Sequence, residues 1–496
     1  MDQMHDAPSA RQPGKLRLTT LAAAGLMALT ALAGCAVGPE YKQPDAPLAA
    51  EFHTASVLAA RKAELPAPPL DQWWVGFQDP DLQRIVTRVL EQNLDLAAAM
   101  ARVEQARAVS RAAEANLLPQ GSVNASALHQ RQSLNSPDGM LASHAQGYNR
   151  EQTLYSAGLG ASWELDVAGG LKKATERASA EVQAAEADRL GVRVSVAAEA
   201  ADAYFRVRGA QRRIALAQEE VATNGHLLQL VRLRLADGLA SSREAAQAEA
   251  LVAQSRGTIP PLRIELETQL NRLDVLMGAA PGTYAAELSA PAGTGASAET
   301  RVPAIALSQG PADLLRRRPD VIAAERRLAA TNAQIGEAMA EYYPKVSFSA
   351  LLGVTSLGSG GLLTAASLQP QVGAGLRWRL FDFGRIDAEV ARAKVVNAEA
   401  LVAYRKAVLR AAEDVENAVV TLTELEAQHS ELVDEVDAHV RARDASELAY
   451  KGGAVSLFEV LEEQRQLLAS RDQMARVNAD NARAAVATFR AAGGGW

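Results

Sequence analysis

The chain has 496 residues and a formal net charge of −7, and it is 48% hydrophobic yet only 4% aromatic. Its single cysteine excludes an intramolecular disulfide framework and a cysteine-based zinc site, and an acidic balance without a long Lys/Arg run argues against a nucleic-acid binder. Apolar content drawn mainly from Ala, Leu and Val points to long helices packed through small residues, on a length that would suit roughly three domains.

Arg11, Lys15 and Arg17 precede an uncharged stretch from Leu18 to Ala33. This is shorter than the ~20 residues a spanning helix needs, and it reads as a signal peptide over 1–34. It ends in Leu32-Ala33-Gly34-Cys35, which resembles a bacterial lipobox. There, small residues let the peptidase reach the backbone and the cysteine sulfur takes the diacylglycerol. Cys35 is therefore the expected lipidation site, and its covalent lipid is the one non-protein group expected. Ala36 in the next position, rather than Asp, resembles lipoproteins sent to the outer membrane. Residues 35–78, with Pro44, Pro47, Pro66, Pro68 and Pro69, read as a lipid-anchored tether. No later uncharged apolar run is long enough to span a bilayer as a helix, so any further crossing falls to strands.

The chain is written twice. Asn93-Leu94-Asp95 opens a stretch reaching Pro119, and Arg318-Pro319-Asp320 opens one reaching Pro344, a register of 225. Trp163, Leu165 and Gly169 match Trp378, Leu380 and Gly384 at 215, as do Gly238, Ser241 and Glu244 with Gly453, Ser456 and Glu459. The first copy thus carries ten extra residues between Pro119 and Trp163. Such a period rejects a short-repeat solenoid. The boundaries are 79–277 for the first copy, 278–312 for a Gly/Pro/Ala-rich connector, and 313–496 for the second copy with its C-terminal tail.

Each copy reads helix, two strands, long helix, short turn, helix. Tyr155, Ala157, Leu159, Ala161, Trp163, Leu165 and Val167 share one strand face, opposite Ser156, Gly158, Gly160, Ser162, Glu164 and Asp166. In the second copy Val372, Ala374, Leu376, Trp378 and Leu380 oppose Gly373, Gly375, Arg377 and Arg379. Their partners lie near 122–130 and 345–355. One apolar and one polar face fits a membrane barrel strand. Four strands cannot close a barrel, whose smallest practical number is about eight, so copies must pool strands. The helix from about Lys172 to Ala236 would extend about 97 Å at 1.5 Å per residue.

Cys35-Ala36-Val37-Gly38-Pro39-Glu40-Tyr41, Trp73-Trp74 with Phe77, Arg317-Arg318-Pro319-Asp320-Val321, Leu380-Phe381-Asp382-Phe383-Gly384-Arg385 and Gly493-Gly494-Gly495-Trp496 occur in order. Together they resemble the TolC-like outer-membrane factors, in the lipoprotein branch serving resistance-nodulation-division efflux pumps. The resemblance covers nearly all of the mature chain. It implies a mainly α fold with a membrane β-barrel: a homotrimer whose twelve-stranded barrel continues into a long periplasmic helical tunnel. It also implies docking on a periplasmic adaptor linked to an inner-membrane pump, with no catalysis in this chain.

Gly238-Leu239-Ala240-Ser241 and Gly453-Ala454-Val455-Ser456 read as helix stops followed by Ser-x-x-Glu capping boxes. The resemblance adds a docking role, with Leu239, Ala240, Ala454 and Val455 as exposed apolar contacts. Tyr450, Phe458, Glu459 and Glu462 resemble the family's constriction. Phe458 would be a hydrophobic plug and Glu462 an acidic ring, with Glu459 either gate or helix cap. An enzyme is disfavoured: no P-loop or His-Glu-x-x-His occurs, and His129, His144, His226, His429 and His439 are scattered. A structural coiled-coil lipoprotein would not need amphipathic strands. A duct for type I protein secretion is disfavoured by the lipobox.

Overall fold

The computed structural model describes residues 36–45, 48–49, 51–61, 65–289, 301–305 and 311–496. The leader and Cys35 lie outside the described residues. Eight helices and four strands carry the architecture: α1 (Pro80–Gln92), α2 (Leu94–Ala115), β1 (Gln120–Arg131), β2 (Glu151–Leu165), α3 (Gly170–Ala236), α4 (Ser242–Gly257), α5 (Ile259–Leu276), α6 (Pro319–Ala340), β3 (Lys345–Ser356), β4 (Leu368–Arg377), α7 (Arg385–Lys451) and α8 (Leu457–Ala491). The two registers are kept to the residue. Both ends of α2 and α6, and of β1 and β3, differ by 225, and both ends of α3 and α7 by 215.

The chain divides into two compact units. The first holds the sheet with the adjoining helix ends, over described residues 36–43, 106–182 and 327–400. Its strands run β1-β2-β3-β4, all antiparallel. Directly paired residues share a face, so the register can be read straight across the sheet. Val123 pairs with Leu159, Leu159 with Leu352, and Leu352 with Pro370. Ala161 pairs with Ala350, and Ala350 with Val372. The opposite face aligns Ser162 with Ser349 and Ser349 with Gly373. An apolar face therefore continues over all four strands, backed by a face mainly of Ser, Gly, Asn, Gln and Thr that also carries Leu128, Leu154 and Leu351. Among the described residues nothing pairs the outer edges of β1 and β4, both exposed along their whole length.

Two differences from the sequence expectation have local causes. β4 stops at Arg377, leaving Trp378 and Leu380 beyond the ladder. Lys345 pairs with Arg377, so Pro344, which has no N–H to donate, falls opposite Trp378. The helix expected after the first turn is broken into α4 and α5, with Pro260 and Pro261 opening α5. Ala475 and Arg476 stand at those positions in the second copy, and α8 runs unbroken.

Trp163 and Trp378 do the same work in each copy. The Trp163 indole donates to Leu117 O at 2.9 Å and that of Trp378 to Tyr342 O at 3.0 Å, tying each strand base to the helix before it.

The second unit comprises 44–105, 183–326 and 401–496. Its core centres on Trp73, Trp74, Phe77, Phe205 and Phe489, with Trp73 stacked on Phe489 at 5.5 Å. The segment expected to be a tether packs here. Phe52 is buried with Val415 and Val419, Arg61 pairs with Glu426 at 2.7 Å, and Leu65 bridges Pro303 of the connector.

Candidate functional site

Both helix–helix turns close by one mechanism. Gly238 takes φ +73° and Gly453 φ +75°, a backbone region costly for residues with a Cβ. Gly238 N–H donates to Leu235 O at 3.1 Å and Leu239 N–H to Arg234 O at 2.7 Å. In the second turn Gly453 N–H donates to Tyr450 O at 3.0 Å and Ala454 N–H to Ala449 O at 2.9 Å. Orphan carbonyls at both helix ends are thus satisfied.

The next helices start from Ser241 and Ser456. The Glu244 carboxylate accepts from Ser241 N–H at 2.6 Å and from its hydroxyl at 2.9 Å, which holds the carboxyl below its usual range. Glu459 makes the corresponding contacts to Ser456 at 3.4 Å, a looser box. Leu239 and Ala454 are exposed, whereas Ala240 and Val455 are only partly so. Val455 leans on a buried cluster of Val231, Ala245, Ala248, Tyr450, Leu457 and Val460 that joins the two turns. It is therefore less available for docking than the sequence suggested, because packing between the turns claims part of it.

The four residues expected at a constriction separate. Phe458 is 61% exposed. Glu462 lies one turn further along α8 and is partly exposed, but its carboxylate accepts from Arg465 at 2.7 and 3.1 Å and from Gln466 at 2.8 Å. Those bonds hold its carboxyl below the usual range, and the guanidinium matches its charge. Glu459 caps α8. Tyr450 is only 6% exposed, with the Arg234 guanidinium 4.5 Å above its ring. In this conformation it clasps the two turns together and does not present an open surface.

Two further arrangements escaped sequence reasoning. The Arg318 guanidinium reaches Asp320 at 2.8 Å, Asp414 at 2.8 Å, and the carbonyls of Ala411 and Ala491 at 3.2 Å each. It thereby caps the last turn of α8 while fixing the start of α6. Asn93, its counterpart at 225, donates to Leu276 O at 2.9 Å, and Leu276 is the counterpart of Ala491 at 215. The signature Arg-Pro-Asp is therefore half of a duplicated clamp. Arg318, Asp320, Asp414, Asn417 and Thr421 help line a cavity of about 1040 Å³ in the second unit.

The second arrangement is a buried polar belt above the turn cluster. Asn224 donates to Ser255 at 2.8 Å and Glu220 faces Arg471 at 3.6 Å. Glu220, Asn224 and Gln464 each keep one buried oxygen without a hydrogen-bond donor. Equal spacing was the available signal, since Glu220 and Ser255 recur as Glu435 and Ser470.

Among the described residues no helix is long and apolar enough to cross a membrane, which leaves the sheet's apolar face as the candidate lipid contact. The family model for outer membrane efflux proteins matches residues 85–279 and 310–494, so that the matched starts differ by 225 and the ends by 215. The chain belongs to that family.

This efflux protein is 34% identical over 442 residues to the pyoverdine export outer membrane protein OpmQ of Pseudomonas aeruginosa, with 88% of this chain and 90% of that protein covered. It is 29% identical over 477 residues to the toluene efflux pump outer membrane protein TtgF of Pseudomonas putida, covering 94% and 95%. Among solved structures, the outer-membrane channel OprN matches with a TM-score of 0.82 at 30% identity, over 93% of this chain and all of that one. The open-state outer membrane channel MtrE of Neisseria gonorrhoeae matches with a TM-score of 0.80 at 26% identity, over 93% and 98%. The protein is an outer-membrane efflux channel with the TolC-like duplicated fold, and its family is one of transporters.

Proposed function

We propose that three copies of this chain form one passive duct that takes small molecules from an inner-membrane pump, through a periplasmic adaptor, across the outer membrane. The observation that carries this reading is the sheet, with an apolar face over four strands and both edges open. In a bilayer an open edge would leave backbone groups without partners, and four strands cannot close on themselves. Three copies would supply a barrel of twelve. The helices support the same assembly: Ala180, Ala187 and Val194 of α3 are buried, while their counterparts Val395, Val402 and Leu409 of α7 are exposed. A neighbouring copy would cover them as the second repeat adjoins the first.

The lipid on Cys35 would anchor the tether of 35–78, and 278–312 would remain a connector between the repeats 79–277 and 313–496. Gly238 to Ser241 and Gly453 to Ser456 would form the periplasmic mouth and meet the adaptor, with Leu239 the largest apolar contact. Phe458 and Glu462 would narrow the passage, the Arg465 partner leaving Glu462 less charge for cation preference. Export of small compounds rests on the relatives named for pyoverdine export and toluene efflux.

The test is conductance in a planar bilayer. The reconstituted chain should form discrete channels, and Phe458→Ala with Glu462→Ala should enlarge their conductance. Absence of channels would overturn the duct, and unchanged conductance would remove both residues from the narrowest point. A deletion strain should also become more susceptible to small toxic compounds.

A further inference from the structure

Within the chain, the first turns of α3 lie on the last turns of α6. Gly170 has no room for a Cβ beside Ala340, and Arg177 pairs with Glu337 at 3.0 Å. The N-terminal segment fills the groove between them. Val37 N–H donates to Ala168 O at 3.0 Å, and the Asn332 amide donates to Pro39 O at 3.2 Å. Gly169 and Gly336 are needed there, because a Cβ on either would strike Ala36 or Val37 O within 2.8 Å.

Translating this seam by the two registers gives a second groove, between the start of α7 and the end of α2. Ala168 becomes Phe383, Gly169 becomes Gly384, and Gly336 becomes Arg111. α2 leads into β1 and α7 follows β4, the two outer strands of the sheet, and one N-terminal segment stands against two such grooves. Arg111 replaces the glycine that admitted it, is exposed, and has no hydrogen-bond or ion-pair partner among the described residues. Phe383 sits at φ +56°, in the left-handed region, with its ring fully exposed; Phe381 is also exposed, and the space around Gly384 is open. A bulky residue held in that region stores strain that no packing inside the protomer offsets.

We propose that Phe383, with Phe381 beside it, fills this second groove against the end of α2 in a neighbouring copy, taking the place that residues 36–39 take inside the chain. The neighbouring copy's Arg111 lies over the ring as a cation–π partner. The assignment rests on the trimeric reading above.

Cysteines at both positions, Phe383→Cys with Arg111→Cys, test it in the full-length protein in outer membranes. Mild oxidation should yield covalently linked oligomers from the double variant and none from either single variant. Intact non-covalent trimers without the link would place the ring elsewhere, such as in lipid, and overturn the inference. Absence of trimers in the unmodified protein would instead overturn the assembly itself. Phe383→Gly provides a second arm, since it relieves the backbone while removing the ring. Its trimer should dissociate in detergent on the order of tenfold faster, and Phe383→Trp should restore the rate. Dissociation of Phe383→Gly at the original rate or slower would overturn the contact.

Discussion

Glu220 is a carboxylate buried between two helical hairpins, with Arg471 at 3.6 Å as its nearest cation. Burial pushes its carboxyl above the usual range; Arg471 and Arg443 oppose the shift and Glu219 adds to it. The folded chain therefore binds this proton more tightly than the unfolded one. The stabilisation is complete below the ordinary carboxylate pKa and is lost as pH rises through the raised folded value. Thermal unfolding of Glu220→Gln at a series of pH values should lack this component, and an unaltered pH profile would refute it. Arg318 shows what was and was not legible at this scale. The triplet Arg318-Pro319-Asp320 is visible in the sequence, but two of the groups it grips are backbone carbonyls 93 and 173 residues away. A carbonyl has no residue identity, so no motif could announce it.

Helices and strands were legible to a finer degree because duplication supplies two readings of each boundary. The ends of α3 and α7 fall at the same register although their sequences differ greatly. What did not carry over were differences between copies: the break at Pro260 and Pro261, and the early end of β4, which lacks the second neighbouring strand that carries β2 on to Leu165. The polar belt also belongs to this scale, since its members come from α3, α4 and α8 and meet only when the hairpins pack. Gln464 is buried and its side-chain oxygen has no donor. Removing an unpaired buried acceptor while keeping its volume should help, so Gln464→Leu should stabilise by about 1–2 kcal/mol. Denaturant unfolding would measure this, and a loss of stability would mean that the oxygen is hydrated.

At the scale of the molecule, the sheet divides its two faces between two media. Leu159→Arg, on the apolar face near the middle of β2, should cost about 2–4 kcal/mol, read as loss of folded protein in membranes. Ser162→Arg, on the opposite face of the same strand, should leave folding intact and alter conductance. Equal effects from the two would contradict the facing. Alternation in β2 revealed this polarity from sequence alone, whereas continuity across all four strands required the pairing register. The break at Pro260 has a mechanical consequence. The two hairpins match in length and turn geometry, yet one return limb is jointed and the other is a continuous strut. A load applied at Gly238 can be taken up by bending between α4 and α5. The same load at Gly453 meets an unbroken helix as far as Ala491, whose carbonyl Arg318 holds. Pushed equally at both tips, the chain would yield on one side and transmit on the other.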